Sequence, residues 1–247
     1  MKGWRADLHI HTALSPCAMD EMTPPAIVAA AIECQLDIIA ICDHNTAGNV
    51  AAVQEAARTA SAPLTVIPGI EVTTREEVHV LGLFASVESA LAVGEAARQT
   101  LPAVTEISKR FGDQYLFDAS GEVVGEEGKM LSTATSYTLE QTVGLIKGNG
   151  GFAIASHVDR PSHSVMSQLG LFPAEVDFDG IEISWVGVQL GRDSQFEWLN
   201  LPMTTSSDSH FLSEIGSGFL SITLKEPSFG ELMSAIQQMQ GKRCFVA

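Results

Sequence analysis

Six of the seven histidines stand beside carboxylates or at similar places in the chain. His9 and His11 flank one residue in Asp7-Leu8-His9-Ile10-His11. His44 follows Asp43, His79 comes after Glu71, His157 closes Ala155-Ser156-His157, and His210 follows Asp208 by two. Imidazole and carboxylate together suit zinc, manganese and iron. A single such histidine reads as an ordinary core or surface residue, and His163, in the polar run Pro161-Ser162-His163-Ser164, keeps that reading on packing grounds. Six together serve no core-filling purpose, and burying them unpaired would be costly. The i, i+2 spacing of His9 and His11 turns both rings to one side of a strand, so both can bind one ion.

The elements that must position these residues alternate along the chain. Strand-like runs are read at 6–11, 37–43, 65–73, 78–84, 151–157, 180–185, 202–207 and 219–224, and helical patterns at 24–35, 47–60, 139–148 and 229–240. Thr23 followed by Pro24 and Pro25 is a helix-start signal. Apolar strands alternating with helices predict a parallel α/β sheet or barrel. In such a barrel the C-terminal strand ends converge on one face, and that face carries the active site. At least six imidazoles and three or four carboxylates, from Asp7, Asp43, Glu71 and Asp208, should therefore meet in one cleft. Residues 86–136 break the rhythm with a helix and then a Gly- and acid-rich piece. They read as an insertion or cap on one barrel connection, within a single domain over 1–247.

The chain has 247 residues, 45% hydrophobic and 18% charged, which excludes a disordered chain. Its 14 Lys+Arg against 30 Asp+Glu leave a formal charge of −16. That argues against a general grip on DNA or RNA, which needs a basic stripe. Near the insertion lie Lys109, Arg110, Lys129 and Lys147, too few for such a stripe. The expected partner is thus a small-molecule phosphate ester or nucleotide, with no long nucleic acid. No apolar run approaches the ~20 residues of a membrane span, and no membrane partner is expected. Cys17, Cys34, Cys42 and Cys244 form no CxxC pair and read as reduced thiols of a cytoplasmic protein. Nothing in the sequence reports the oligomeric state.

The motif Ala6-Asp7-Leu8-His9-Ile10-His11-Thr12 resembles the first motif of the PHP (polymerase and histidinol phosphatase) superfamily. Ile41-Cys42-Asp43-His44-Asn45-Thr46, Gly69-Ile70-Glu71, His79, Ala155-Ser156-His157 and Ser207-Asp208-Ser209-His210 follow in that family's order. The resemblance covers nearly the whole chain. It implies a distorted (β/α)7 barrel with two to three divalent ions, zinc, manganese or iron. One ion would be held by His9, His11, Glu71 and Asp208, and a second by the bridging Glu71 with His79 and His157. The third would be held by His44, His210 and a residue of the loop after the first motif. There this chain departs from the short Ser-Asp-Gly loop of phosphoesterase relatives: it has Ser15-Pro16-Cys17-Ala18-Met19-Asp20-Glu21. Counting back from Thr23-Pro24 points to Asp20, with Glu21 as competitor. Cys17 is a possible soft-metal ligand but reads better as structural.

Adjacent divalent ions activate a water and bind attacking and leaving oxygens, which is apparatus for phosphate-ester hydrolysis. Arg160, three residues after His157, is placed to bind phosphate at the rim, and Arg192 is a second candidate. His163 is a candidate to protonate a leaving group, since histidine titrates near neutral pH. Asp43 is counted with the catalytic group as the carboxylate that orients an imidazole. The leading expectation is a metal-dependent phosphoesterase for a small molecule or nucleotide. The alternatives are a nuclease on 5′-phosphorylated oligonucleotides, a non-catalytic module of the same fold, and a metal barrel that hydrolyses C–N bonds.

Overall fold

The computed structural model describes residues 2–105 and 112–239. Lys109, Arg110 and Cys244 lie outside them. The elements are β1 (Lys2–Ile10), α1 (Pro24–Glu33), β2 (Ile38–Ile41), α2 (Val50–Arg58), β3 (Thr65–Thr73), β4 (His79–Leu83), α3 (Val87–Arg98), β5 (Tyr115–Phe117) and β6 (Val123–Glu126). Then follow α4 (Leu139–Gly148), β7 (Phe152–Ala155), α5 (Val165–Leu169), β8 (Gly180–Glu182), α6 (Trp185–Gln189), a 3-10 segment (Arg192–Leu199), β9 (Met203–Thr204), β10 (Leu220–Leu224) and α7 (Phe229–Gln237).

Eight strands form one sheet in the order β10-β1-β2-β3-β4-β7-β8-β9. The sheet nearly closes into a barrel. His11 N donates to Ser209 O at 3.0 Å and Ser209 N to His9 O at 3.3 Å, joining the end of β1 to the stretch after β9. Central strands such as Ile38-Ile39-Ala40-Ile41 are buried along their whole length, as strands covered on both faces must be. Amphipathic helices supply the cover: α2 buries Val50, Val53, Ala56 and Ala57. At the start of α4, Thr138 and Gln141 form a capping box.

The expectation of an all-parallel sheet is corrected at two strands. β4 runs antiparallel to both β3 and β7, and β10 antiparallel to β1. The cause at β4 is the connection, residues 74–78, closed by Thr74 N donating to Val78 O at 2.8 Å. So short a link makes a hairpin, whereas a parallel crossover needs a dozen or more residues. The reversal matters for the site. It brings the first residue of β4, His79, to the rim where the parallel strands end.

The insertion begins with α3 and continues through the β5–β6 hairpin, which joins no barrel strand. Two asparagines fasten it to the loop after β2, and Tyr115 N, donating to Ala13 O at 3.0 Å, ties it to the loop after β1. Asn45 Nδ2 donates to Leu131 O at 2.7 Å and Thr133 O at 2.9 Å, and Asn49 Nδ2 donates to Tyr115 O at 2.9 Å. Leu14, Leu101 and Leu131 form a small apolar cluster beneath it. The cap thus buttresses the loops that carry the first histidines. Nearby cations are engaged structurally: Lys129 Nζ donates to Leu101 O at 2.8 Å, and Lys147 pairs with Asp177 and Asp179. Among the described residues no helix is long and apolar enough to cross a membrane.

Candidate metal centre

The strand ends bring six histidines around two carboxylates, Glu71 and Asp208. Glu71, at the rim end of β3, is buried, with its oxygens 3.0 Å from His44 Nδ1, 3.1 Å from His79 Nδ1, 3.4 Å from His9 Nε2 and 3.4 Å from His157 Nε2. Asp208 Oδ1 lies 3.1 Å from His11 Nε2 and 3.3 Å from His9 Nε2. The ring of His210 stacks on that of His11, with centroids 4.2 Å apart. Three groups have ligand atoms within 4.8 Å of one another: His9, His11 and Glu71; His44, Glu71 and His79; and His11, His44 and His210. Asp208 and His157 and Asn45 all sit near this rim, and all three have left-handed backbone, with φ of 52°, 28° and 54°. Such conformations concentrate at functional sites.

The tautomers of two rings follow from their neighbours. Glu182 can only accept, so His9 Nδ1–H donates to Glu182 Oε2 at 3.1 Å. Ser15 Oγ gives its own proton to Asp43 Oδ1 at 2.7 Å, so His11 Nδ1–H donates to Ser15 Oγ at 3.0 Å. Both Nε2 atoms then present lone pairs to each other across 3.1 Å and to Asp208 Oδ1. Three electron-rich atoms so close need a positive charge between them, which a proton on His9 or a bound metal ion supplies. Tetrahedral zinc with bonds of roughly 2.1 Å separates its ligand atoms by about 3.4 Å, close to the spacing here. Buried His44 Nδ1, His79 Nδ1, His157 Nδ1 and Glu71 Oε1 also lack any hydrogen-bond partner. The donor set therefore fits divalent metal.

The electrostatics agree. Burial opposes a charge on His9, yet Asp208, Glu182 and Glu71 outweigh it and raise His9 well above the usual histidine range. Burial likewise opposes ionisation of Glu71 and Asp208. His79 and His9 nevertheless hold Glu71 well below the carboxylate range, and His9, His11 and Arg160 do the same for Asp208. Burial pushes His79 down to about 4 despite Glu71, and His11 is lowered by burial and by His210 and His44. The cluster is a set of acids that demands a compensating cation.

The other expected residues divide. Arg160 pairs with Asp208 and lines the metal cavity of about 120 Å³, together with His163, whose ring stacks on His79 at 4.5 Å. Arg192 lies outside that cavity, with NH1 4.0 Å from Asp159 Oδ2, and lines a neighbouring one. Asp43 is fully buried behind the rings and meets Thr12 and Ser15 rather than the cavity. It positions His11 through Ser15 and touches no reacting atom. Asp20 and Glu21 are exposed, and neither joins any of the three ligand groups. Cys17, exposed like Asp20 and likewise outside the three groups, lies beside His210 and His44. Burial opposes ionisation of its thiol, but hydrogen bonds with His210 and His44 lower it to about 6.

Sequence reasoning missed Glu182. Its carboxylate orients His9 and accepts from His157 N at 3.2 Å. A signal was present: Gly180-Ile181-Glu182 repeats Gly69-Ile70-Glu71, again at a strand end.

The PHP domain family matches residues 7–164, and the PHP-associated family matches 197–240. The chain belongs to the PHP family. Strands from both matched regions share its one barrel sheet, since β10 pairs with β1. The protein is 27% identical over 220 residues to the 5′-3′ exoribonuclease Rnm of Escherichia coli (strain K12), covering 72% of this chain and 74% of the relative. In structure it resembles endonuclease Q of Pyrococcus furiosus, described as lesion-specific, with TM-score 0.67 and 17% identity. The match covers 98% of this chain and 57% of that one. It also resembles an endonuclease Q complex with a 27-mer duplex carrying an abasic lesion, with TM-score 0.68 and 17% identity over 98% of this chain and 58% of that one. This PHP protein thus spans just over half the length of the endonuclease Q chains, and the likeness to them is one of fold.

This PHP protein is a metal-dependent hydrolase. The expectation of a small-molecule partner without long nucleic acid is corrected. A sequence relative is named for RNA, and a fold neighbour was solved on duplex DNA. The physical reason is that net charge reports on the whole surface. It excludes a general basic stripe, but it omits bound cations and does not describe the cleft, where the acids are matched by metal and arginine.

Proposed function

We propose that this PHP protein is a nuclease that hydrolyses phosphodiesters of RNA from a 5′-phosphorylated end. The observation that carries the reading is Arg160. It is the one arginine lining the metal cavity among the described residues, and it stands against Asp208 within a cluster whose acids require cations. The resemblance to an exoribonuclease supports the choice of substrate. His9, His11, Glu71 and Asp208 would hold one ion, Glu71, His79 and His157 a second, and His44, His210 and Cys17 a third. Bound divalent metals would supply an activated water and charge stabilisation at the phosphate oxygens.

The chain's own residues do the rest. Arg160 orients the phosphate through its planar fork, which matches two oxygens at once. His163 stands at the cavity wall, with Nδ1–H donating to Glu77 O at 3.1 Å. That bond leaves Nε2 as the atom that exchanges a proton with a leaving oxygen. Glu182 and the Asp43–Ser15 pair keep His9 and His11 in the tautomer that points Nε2 inward.

The test is incubation of the purified, Mn²⁺-loaded protein with a 3′-labelled, 5′-phosphorylated oligoribonucleotide. Stepwise shortening from the 5′ end is expected, and its loss in Arg160→Ala. Turnover of bis-p-nitrophenyl phosphate with no cleavage of any oligonucleotide would overturn the reading.

A further inference from the structure

Beside the metal cavity lies a second and larger one, about 430 Å³, lined by Arg160, Pro161, Arg192, Gln195, Phe196 and Trp198 among others. Arg160 lines both cavities, so the two are neighbours across a single guanidinium. The volume falls in the range of small-ligand pockets. In a chain with 14 Lys+Arg against 30 Asp+Glu, two arginines on one cavity is a local reversal of charge. Asp159 also lines it, 4.0 Å from Arg192 NH1, and Arg160 pairs with Asp208 outside it, so the cavity's charged lining carries one surplus positive charge. Asp159 Oδ1 accepts from Ser184 N and Oδ2 from Ser184 Oγ, each at 2.7 Å. Trp198 is 66% exposed, unusual for the largest aromatic side chain in a protein whose core has room for Phe84 and Phe152.

Two spaced arginines and an open indole are the parts of a single-strand nucleic-acid platform. The guanidinium groups take successive phosphates, and a base lies on the aromatic face whatever its identity. We propose that this second cavity is a nucleotide subsite, in which Arg192 binds the phosphate next to the one held by Arg160 and Trp198 stacks the intervening base. The inference rests on the nuclease reading and deepens it. It explains how an acidic protein holds a strand, with a short grip beside the metals in place of a basic stripe. It also implies tolerance of base identity, since none of these contacts reads a base edge.

The experiment compares wild type, Trp198→Ala and Arg192→Gln as Mn²⁺-loaded full-length protein. The quantity read is the ratio of kcat/KM for a 5′-phosphorylated hexaribonucleotide to kcat/KM for bis-p-nitrophenyl phosphate, which is too small to span both cavities. Loss of base stacking is expected to lower that ratio roughly ten- to hundredfold in Trp198→Ala, mainly through KM. In metal-free protein the hexanucleotide should quench indole fluorescence in wild type and not in Trp198→Ala, which still carries Trp4 and Trp185. A hexanucleotide cleaved by both with the same ratio, and equal quenching, overturns the subsite and leaves the nuclease reading standing. Hydrolysis of the small ester with no oligonucleotide cleavage by wild type overturns both. Unchanged circular dichroism of the variants guards against misfolding.

Discussion

Glu182 and Glu71 bracket His9: Glu182 lies 3.1 Å from Nδ1 on the barrel side, and Glu71 lies 3.4 Å from Nε2 on the cavity side. Both end a Gly-Ile-Glu tripeptide on strands that run the same way, β3 and β8. The same local sequence thus serves two tasks. In the proposed site one carboxylate would be a ligand, and the other holds the ring of His9 and fixes its tautomer. Carboxylate–histidine pairs of this kind are the common support of metal-binding imidazoles.

Replacing Glu182 with Gln should therefore weaken metal binding without emptying the core. The carboxylate accepts from His9 Nδ1–H and from His157 N. Both donors reach Oε2, so an amide oxygen there keeps both bonds, but the NH2 in the place of Oε1 then faces His9 Nδ1–H and the charge that holds the ring is lost. We expect metal affinity and kcat to fall about 10–100-fold. Elemental mass spectrometry after dialysis against weak chelator checks the affinity, and unchanged metal content would show that His9 needs no such support.

Cys17 offers a sharper test of the third position. Its thiol is hydrogen-bonded with His210 and His44, where Asp20 was the expected ligand. A cobalt-substituted protein should show thiolate-to-metal charge-transfer absorption, lost in Cys17→Ser and kept in Asp20→Ala. Loss of the third ion in Asp20→Ala instead would return that position to a carboxylate.

Much of this site was legible because its ligands sit at strand ends beside acids, a pattern that survives any error in strand length. Asp20 stands outside the three ligand groups for a local reason. Met19 N donates to His210 O and Ala13 N to Met22 O, both at 3.0 Å. The loop is thereby folded onto His210, with Asp20 and Cys17 both exposed and Cys17 beside His210 and His44. No count along the sequence shows such a closure. Glu182 was missed because no histidine adjoins it, although its tripeptide repeats that of Glu71. The antiparallel β4 was readable from the short 74–78 link. The substrate was misjudged because net charge averages over a surface, whereas Arg160 and Arg192 stand together on one cavity beside the histidine cluster.

The glycines of the two tripeptides are not equivalent. A Cβ on Gly69 would lie 2.5 Å from Cys42 Sγ and 2.8 Å from Ile41 O, both in the packed interior beside β2. One on Gly180 would meet Pro202 O at 3.2 Å, a contact that a small shift relieves. Gly69→Ala should cost about 1–3 kcal/mol as overpacking. That is a fall in Tm of roughly 2–12 °C for a chain of this size. Gly180→Ala should cost distinctly less. Scanning calorimetry of both variants decides, and equal effects would mean that the core beside β2 yields more easily than the close contacts imply.

Asp7 ties β1 to the segments flanking Asp208 and His210, its Oδ1 accepting from Ser207 N and its Oδ2 from Gly216 N, each at 3.0 Å. Burial raises its pKa from 3.8 to about 6, against the lowering effect of these bonds. The folded state therefore keeps this proton up to about pH 6, while the unfolded chain releases it near pH 4. The folded form binds more protons between those limits, so stability from Asp7 is greatest below pH 4 and is lost as pH rises to 6. The full swing is at most about 3 kcal/mol. Asp7→Asn removes the titration; its own penalty, from an amide NH2 facing one of the two donors, does not vary with pH. Urea unfolding of both proteins in the metal-free state from pH 4 to 7 should show the stability difference, wild type minus variant, falling across that window and flat above it. A difference that rises with pH would mean that the Asp7 carboxylate is ionised in the fold and stabilised by the two backbone donors.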